Sequence, residues 1–288
     1  MRTTTRSTGL RKRGLFVLFL LIVLFTLVPV SPYAPATAQP SSAGARSAAL
    51  TGSPAASTGD PWSESNPAGW SDVSTQALVV HAAQLYGMEE LRTGSVQFVA
   101  QFGRPSAALG IRTFGYEDYR ETTFTAGLAG GIRAGTHRPF HFGLRVRYHQ
   151  ISIRNYGSAS AFALSTGMIF PVLAGVNLGL SAENVAVLDS PISDDLPRRI
   201  QGGLAFVGSD ILHVYADVVK DVRSSLVARI SVEARPVRMI ALRSGFSMVP
   251  PRFAGGVGLS LAHLNLDIAV DRHLVLGWSP SCSAELRW

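Results

Sequence analysis

The sequence is short of the residues that build disulfide frameworks and of the long apolar runs that build helical membrane bundles. Only one of its 288 residues is cysteine, Cys282, so neither an internal disulfide nor a thiolate metal cluster can form. Charged residues make up 16%, against about 25% in typical soluble domains. After one apolar run near the N-terminus, no second run is long enough for a membrane-spanning helix. A poorly charged chain of this kind favours a membrane protein that crosses with strands.

The N-terminus has the order of features that a secretory signal requires. A basic leader containing Arg2 and Lys12 precedes the apolar run GLFVLFLLIVLFTLVPV, and prolines and the small residues Ala36 and Ala38 follow. We therefore predict a signal peptide over residues 1–38, cleaved after Ala38. An uncleaved anchor is the alternative, because the apolar run is nearly long enough to span a bilayer.

The net charge of the chain comes mostly from this leader. The whole sequence has a formal charge of +7, and the leader holds five basic and no acidic residues, so the mature chain carries +2. The basic character therefore gives no reason to expect a nucleic-acid partner.

Short alternating segments follow a low-complexity stretch rich in proline, alanine and serine. In LNLDIAVD, leucine, isoleucine and valine occupy every second position from Leu264 to Val270, and mostly polar residues occupy the positions between them. Such a period of two indicates strands with one apolar and one polar face. From about residue 75 we count fourteen such segments, most of them long enough to cross a bilayer when tilted.

Connections and aromatic residues favour a transmembrane barrel over a soluble β-sandwich, which the alternation alone also permits. Tight connections, such as those at Arg104-Pro105 and at Pro171, alternate with longer ones, such as 186–197 and 272–279. Aromatic residues gather near segment ends, where outer-membrane barrels carry aromatic girdles. We predict an all-β, closed antiparallel transmembrane barrel of about fourteen strands over residues 75–288.

The C-terminus fits a closing strand of such a barrel. In SCSAELRW, the side chains of Cys282, Ala284, Leu286 and Trp288 fall on one face. Because strands in lipid must leave no unpaired edge, the last strand should pair with the first. We predict that Trp288 lies at the periplasmic interface as a C-terminal assembly signal for the barrel-assembly machinery.

Several phrases resemble the PorV/PorQ family of outer-membrane barrels, whose architecture is related to that of the FadL long-chain fatty-acid transporters. They are SNPAGW, FGYEDYRETTFTAGLA, FGLRVRYHQISIRNYGSASAFALSTGMIF, LRSGFS and GGVGLSLAHLNLDIAV, and the resemblance extends over residues 44–288. It implies fourteen strands and a role in or beside type IX protein secretion. The chain departs from the family in its short low-complexity segment before NPAG and in Trp70, where leucine is usual.

Residues 39–74 form the low-complexity linker and a plug-like segment ahead of the barrel. Asn66, Pro67, Ala68 and Gly69 fit a type I turn, with Asn first, Pro second and Gly last. An ordinary turn before the first strand is one interpretation. The other, by resemblance to FadL, is a plug inside the barrel, for which Trp62 and Trp70 are candidate packing residues.

Polar residues on the inward positions of many strands predict a salt-bridged, hydrated lumen. The candidate network consists of Arg145, Arg147, Glu183, Asp217, Arg229, Glu233, Arg243, Asp267, Glu285 and Arg287. Ser247, His149 and Asp267 can be drawn together as a hydrolase triad only on paper, because nothing in their spacing requires it. We expect no enzymatic activity and no cofactor.

No metal site is expected either. His137 and His141 are four residues apart, but Pro139 between them predicts a turn and strand start instead of a zinc-binding helix. The loop with Asp189, Asp194 and Asp195 is predicted to be a solvated acidic loop, with a calcium-stabilised or partner-binding loop as the alternative.

These observations lead to two functional expectations. The first is an accessory to type IX secretion that binds secretion components or exported cargo through its external loops, surrounded by outer-membrane lipid. The alternative is a FadL-like channel for small hydrophobic molecules, against which the predicted charged lumen argues modestly. An outer-membrane lipase or protease is a third hypothesis.

Overall fold

The chain folds into one closed antiparallel barrel. A computed structural model describes residues 44–133, 139–188, 192 and 196–288. The strands are β1 (Ala77–Gln84), β2 (Arg92–Gln101), β3 (Ser106–Gly115), β4 (Tyr119–Ile132), β5 (Phe140–Ile153), β6 (Gly157–Leu173), β7 (Val176–Val187), β8 (Arg199–Phe206), β9 (Leu212–Asp221), β10 (Val227–Val237), β11 (Ile240–Ser247), β12 (Arg252–Ser260), β13 (Leu264–His273) and β14 (Gly277–Arg287).

Every strand pairs with its neighbours in sequence, and β14 returns to pair with β1. The seam runs from Ala77 opposite Arg287 to Ala83 opposite Ser281. Just beyond it, the backbone groups of Gln76 and Trp288 exchange two hydrogen bonds of 3.1 Å. The predicted fourteen-stranded barrel and the pairing of its last strand with its first are confirmed.

The helical elements within the described residues are short. They are the α-helix α1 (Ala45–Ala49) and the 3-10 helices η1 (Pro67–Asp72), η2 (Leu85–Gly87) and η3 (Glu89–Leu91). Within the described residues, no helix is long and apolar enough to cross a membrane. The predicted signal peptide (1–38), the turn at 135–138 and the acidic residues Asp189, Asp194 and Asp195 lie outside the described residues.

Side chains alternate between the lipid face and the lumen as the sequence predicted. On β13, Leu266 and Ile268 are exposed on the outside, whereas Asp271 on the inside is buried. On β14, Leu286 and Cys282 face outward, and Ser281 and Ser283 face the lumen. The outer face is thus apolar along the strands, which is the requirement that a hydrocarbon environment imposes.

The two ends of the barrel differ in their connections. We call the end with residues 77 and 287 the termini end and the opposite one the loop end, because the longest connection, 188–198, lies there. Long connections mark the external side of such barrels. Aromatic rings lie near both ends: Trp288 stacks on Phe98 at the termini end, and Phe246 contacts Phe253 at the loop end.

Two predicted connections were wrong. Pro171 lies inside β6, and the turn comes later, at 174–175. The ladder between β6 and β7 shifts register between Pro171 and Leu173, and such an irregularity accommodates a residue without a backbone N–H. The stretch 272–279 is also no long loop, because β13 continues to His273 and β14 begins at Gly277.

The lipid face can be tested by placing the same charge at two depths of one hairpin. Ile268 lies midway along β13 and is 70% exposed, whereas Val275 is 85% exposed in the turn between β13 and β14. We expect Ile268→Arg to destabilise the barrel by about 2–4 kcal/mol and Val275→Arg by about 0–1 kcal/mol, because the cost falls from midplane to interface. Folded fractions follow from the change in gel migration on boiling. Equal effects would contradict the assigned lipid face.

Candidate functional site

The N-terminal segment 44–76 lies inside the barrel, and we call it the plug. Its helix α1 packs against β11–β14, and η1 packs against β3–β6. Alanines at 45, 48 and 49 give α1 so small a cross-section that Ala49 packs closely on Ala269 of the wall. The backbone N–H of Ala45 donates to Ser283 Oγ at 3.3 Å. The plug therefore contacts opposite sides of the lumen.

The turn at Asn66–Gly69 begins η1 and fixes it to the wall. Asn66 Oδ1 accepts from the N–H of Ala68 at 3.0 Å, and the N–H of Gly69 donates to Asn66 O at 3.0 Å. Pro67 occupies the first helical position, where its missing N–H costs nothing. Asn66 Nδ2 also donates to the backbone oxygens of Ala55 and Met168, at 2.6 and 3.1 Å. One side chain thus joins two parts of the plug to β6.

Glycines in the wall make room for this turn. A Cβ at Gly143 on β5 would overlap the backbone of Pro67, and a Cβ at Gly167 on β6 would overlap Asn66 Oδ1. The two glycines are direct partners in the β5–β6 ladder. The missing side chains therefore allow the plug backbone to lie directly against the backbone of the wall at these two positions.

A cluster of charges on the loop-end side of the plug joins Glu64 to three wall arginines, and we call it the loop-end cluster. The carboxylate of Glu64 accepts from Arg112 at 3.4 Å and from Arg147 at 3.3 Å. Its backbone oxygen accepts from Arg145. Glu183 of β7 pairs with Arg147 and, at 3.4 Å, with Arg145. Because these groups are largely buried, each charge depends on its partners for stabilisation.

A second cluster, the termini-end cluster, holds α1. Arg46 pairs with Asp60 of the plug and, at 2.9 Å, with Glu233 of β10. Arg243 of β11 joins the same Glu233 at 2.7 Å and also pairs with Asp267 of β13. Burial would lower the pKa of Arg46, but Glu233 and Asp60 raise it well above its ordinary value. Arg46 is therefore a permanent cation in this network.

The other predicted lumen residues lie outside these two clusters. Asp217 Oδ1 accepts from the N–H of Ala55 at 2.8 Å and lies opposite Arg229 in the β9–β10 ladder. Glu285 pairs with Arg287 on β14 and accepts from Asn265 at 3.2 Å. The ten predicted lumen residues thus form several separate groups along the wall.

Polar cavities lie between the plug and the wall in the described part of the chain. One of about 330 Å³ adjoins the termini-end cluster and is lined by Arg46, Asp60, Tyr215 and Arg243 among others. The other, of about 220 Å³, adjoins the loop-end cluster and is lined by Glu64, Arg147, Glu183 and Arg199 among others.

The wall of β1–β4 presents a different surface to the plug. Val99, Ala108 and Ala129 of the wall pack with Trp70 and Val73 of the plug. Trp62 of the plug packs on Val79 of β1. We call these seven residues the apolar strip. It occupies the half of β1–β4 nearest the termini end, whereas the charged Arg112 on β3 lies nearer the loop end.

Sequence reasoning found the polar wall positions but not their partners in the plug. Arg46, Asp60 and Glu64, which connect the wall groups, lie in the low-complexity segment and were not among the candidates. A signal was present, because only four charged residues occur in 39–76 and three of them are these. Charged residues that become buried are almost always paired, so these few charges were candidates for partners on the wall.

The residues of the hypothetical hydrolase triad have other partners in the structure. His149 Nδ1 contacts Thr123 Oγ1 at 3.1 Å, and Asp267 pairs with Arg243.

Of the two histidines considered for a metal site, His141 contacts Ser71 Oγ through its Nδ1 at 2.6 Å, and His137 lies outside the described residues. The part of the chain that the structure describes contains no group of three or more His, Cys, Asp or Glu arranged to hold a metal ion. The absence of enzymatic activity stays a prediction.

Solved structures share this fold. The chain is similar to the monoaromatic hydrocarbon channel CymD, with a TM-score of 0.65 and 11% identity over 87% of this chain and 98% of CymD. It is also similar to the Pseudomonas putida toluene transporter TodX, with a TM-score of 0.56 and 14% identity over 85% and 96% of the two chains. A Pseudomonas aeruginosa FadL homologue gives a TM-score of 0.56 and 11% identity over 85% and 97%.

At such identities the similarity shows the fold, which is that of FadL-type outer-membrane channels. No protein-family profile matches the sequence, and no curated protein is significantly similar to it. The closed barrel with its apolar exterior places the chain in an outer membrane. The PorV/PorQ resemblance, by contrast, stays a prediction.

The close approach of plug and wall can be tested with one methyl group. We expect Gly143→Ala to displace the plug, because the added Cβ would overlap the backbone of Pro67, whereas Gly130→Ala on the neighbouring strand should be neutral, because its nearest neighbour is Pro105 Cα at 4.0 Å. Limited proteolysis of the folded barrel in detergent reports the exposure of the plug. Equal protection of the two variants would mean that η1 does not lie on Gly143.

Proposed function

We propose that the protein is a plug-gated channel of FadL type for small hydrophobic molecules. The observation that carries this proposal is the N-terminal segment inside a closed fourteen-stranded barrel, combined with an apolar strip on one side of that segment. The fold neighbours include proteins described as a monoaromatic hydrocarbon channel and a toluene transporter. Their architecture supports the same class of activity here.

The division of the lumen gives the plug two functions in this proposal. The loop-end and termini-end clusters anchor it, because removing one partner of a buried ion pair costs about 3–5 kcal/mol. The apolar strip is the surface on which a hydrophobic molecule loses its contact with water, which stabilises it by ~25 cal/mol per Å² of buried apolar area. Displacement of the plug from the apolar strip would open a passage while the ion pairs with β5 and β10 keep the plug attached.

A carboxylate on the apolar strip provides the test. We expect Val99→Asp to lower the uptake of radiolabelled toluene about tenfold or more, because ~1.4 kcal/mol added to a barrier has that effect. The assay uses a Gram-negative host without hydrocarbon channels of its own, and expression of the unaltered chain should raise uptake above that of the empty host.

The matched control places a carboxylate on β9, away from the apolar strip. Val219 is a buried, inward-facing valine of β9, two positions from Asp217. Val219→Asp should leave uptake nearly unchanged. If both variants fold, as judged by migration with and without boiling, and both lose uptake equally, the apolar strip is not the route. No uptake by the unaltered chain would contradict the channel itself.

A role as an accessory in type IX secretion is the second candidate. The filled lumen favours it, because a barrel that anchors cargo or secretion components at the surface needs no open pore. Several external turns are short, for example 116–118, 154–156 and 274–276, so such partners would bind mainly at the connection 188–198.

Deletion of the gene in its own host separates the two candidates. Under the secretion proposal, particular exported proteins should disappear from the surface and accumulate in the periplasm, as measured by quantitative proteomics of both fractions. Under the channel proposal, that inventory should stay unchanged while uptake of hydrophobic compounds falls.

A further inference from the structure

The lipid-facing wall has a depression where large side chains are missing from four neighbouring strands. Cys282 of β14, Ala82 of β1, Gly94 of β2 and Thr113 of β3 lie side by side in the ladders, all on the outer face. Ile268 of β13 is the next partner in this row. The depression has a volume of about 680 Å³ and is mostly apolar, and we call it the outer groove.

Two arginines stand at the loop end of the outer groove. Thr93 of β2 is the ladder partner of Phe114 of β3. The next residues on these two strands, Arg92 and Gly115, therefore lie side by side. Gly115 is also the ladder partner of Arg120 on β4. The arginines are therefore two strands, or about 10 Å, apart. Because Gly115 has no side chain, no side chain stands between the two arginines in this row, and the backbone oxygen of Tyr119 lies where a Cβ of Gly115 would be.

Neither arginine is neutralised within the barrel wall. Arg92 pairs with Glu89 at 3.0 Å, but both side chains are more than half exposed, and such a pair contributes little. Arg120 has no ion pair within residues 44–133, 139–188, 192 and 196–288. Two cations thus adjoin a mostly apolar groove near the loop end of the barrel wall.

We propose that the outer groove binds a lipid with a phosphate-bearing anionic headgroup from the external leaflet. The phosphate accepts hydrogen bonds from Arg92 and Arg120 above Gly115, and an acyl chain fills the space over Ala82, Gly94 and Cys282. Guanidinium groups match phosphate oxygens in geometry and charge, and small side chains allow an acyl chain to approach the backbone. This inference does not depend on what passes through the lumen.

A third external arginine supplies the matched control. Arg272 also points outward near the loop end, but it lies over the ring of Trp278, 5.0 Å from the ring centroid, and does not line the outer groove. Its removal changes the charge of the external rim by the same amount as the removal of Arg120.

The experiment measures lipid binding to the folded full-length barrel by native mass spectrometry in detergent, with dipalmitoyl phosphatidylglycerol and dipalmitoyl phosphatidylcholine as probes. We expect the unaltered chain to prefer phosphatidylglycerol. Arg92→Gln with Arg120→Gln should remove that preference, at least about fivefold, whereas Arg272→Gln should retain it. Gly94→Leu, which fills the groove, should weaken both lipids.

Three results would overturn the proposal: equal affinity of the unaltered chain for both lipids, equal losses for Arg120→Gln and Arg272→Gln, or unaltered binding in Gly94→Leu. Gel migration before and after boiling identifies variants that fail to fold. If the double variant fails, Arg120→Gln alone provides the comparison with Arg272→Gln.

Discussion

The closure of the β1–β14 seam is the constraint on which the rest of the structure depends. In hydrocarbon, an unpaired N–H or C=O group costs several kcal/mol, so a sheet is stable there only when it has no edge. Closure fixes the alternation of lipid-facing and lumen-facing side chains on all fourteen strands, because a shift of one residue would reverse both faces. It also creates an interior that must be filled by water or by protein.

This chain fills that interior with its own N-terminal segment, and the filling is chemically divided. Ion pairs hold α1 and Glu64 to β3–β13, whereas tryptophans and small apolar residues meet β1–β4. A lumen that is charged on all sides would argue against a channel for hydrophobic molecules. The apolar strip at the termini end of β1–β4 leaves an uncharged surface beside these ion pairs, which weakens that objection and favours the channel that we propose.

Alternation with a period of two predicted the strands well, because each lipid-facing position obeys a local rule. The same rule failed at Pro171, where a register shift lets the strand pass through a proline. The partners of the lumen charges could not be predicted. Arg46 and Glu233 are 187 positions apart, and no local pattern connects a low-complexity segment to a wall position. Glycines such as Gly143 also give no sign in the sequence of what approaches them.

The plug and the closing strand are joined at the seam. The plug directly precedes β1, and the backbone of Gln76, at its end, is bonded to Trp288, the last residue. The seam that closes the lumen therefore also fixes the end of the plug. Its contacts with both β3–β6 and β11–β14 make the plug an internal brace that links opposite sides of the wall.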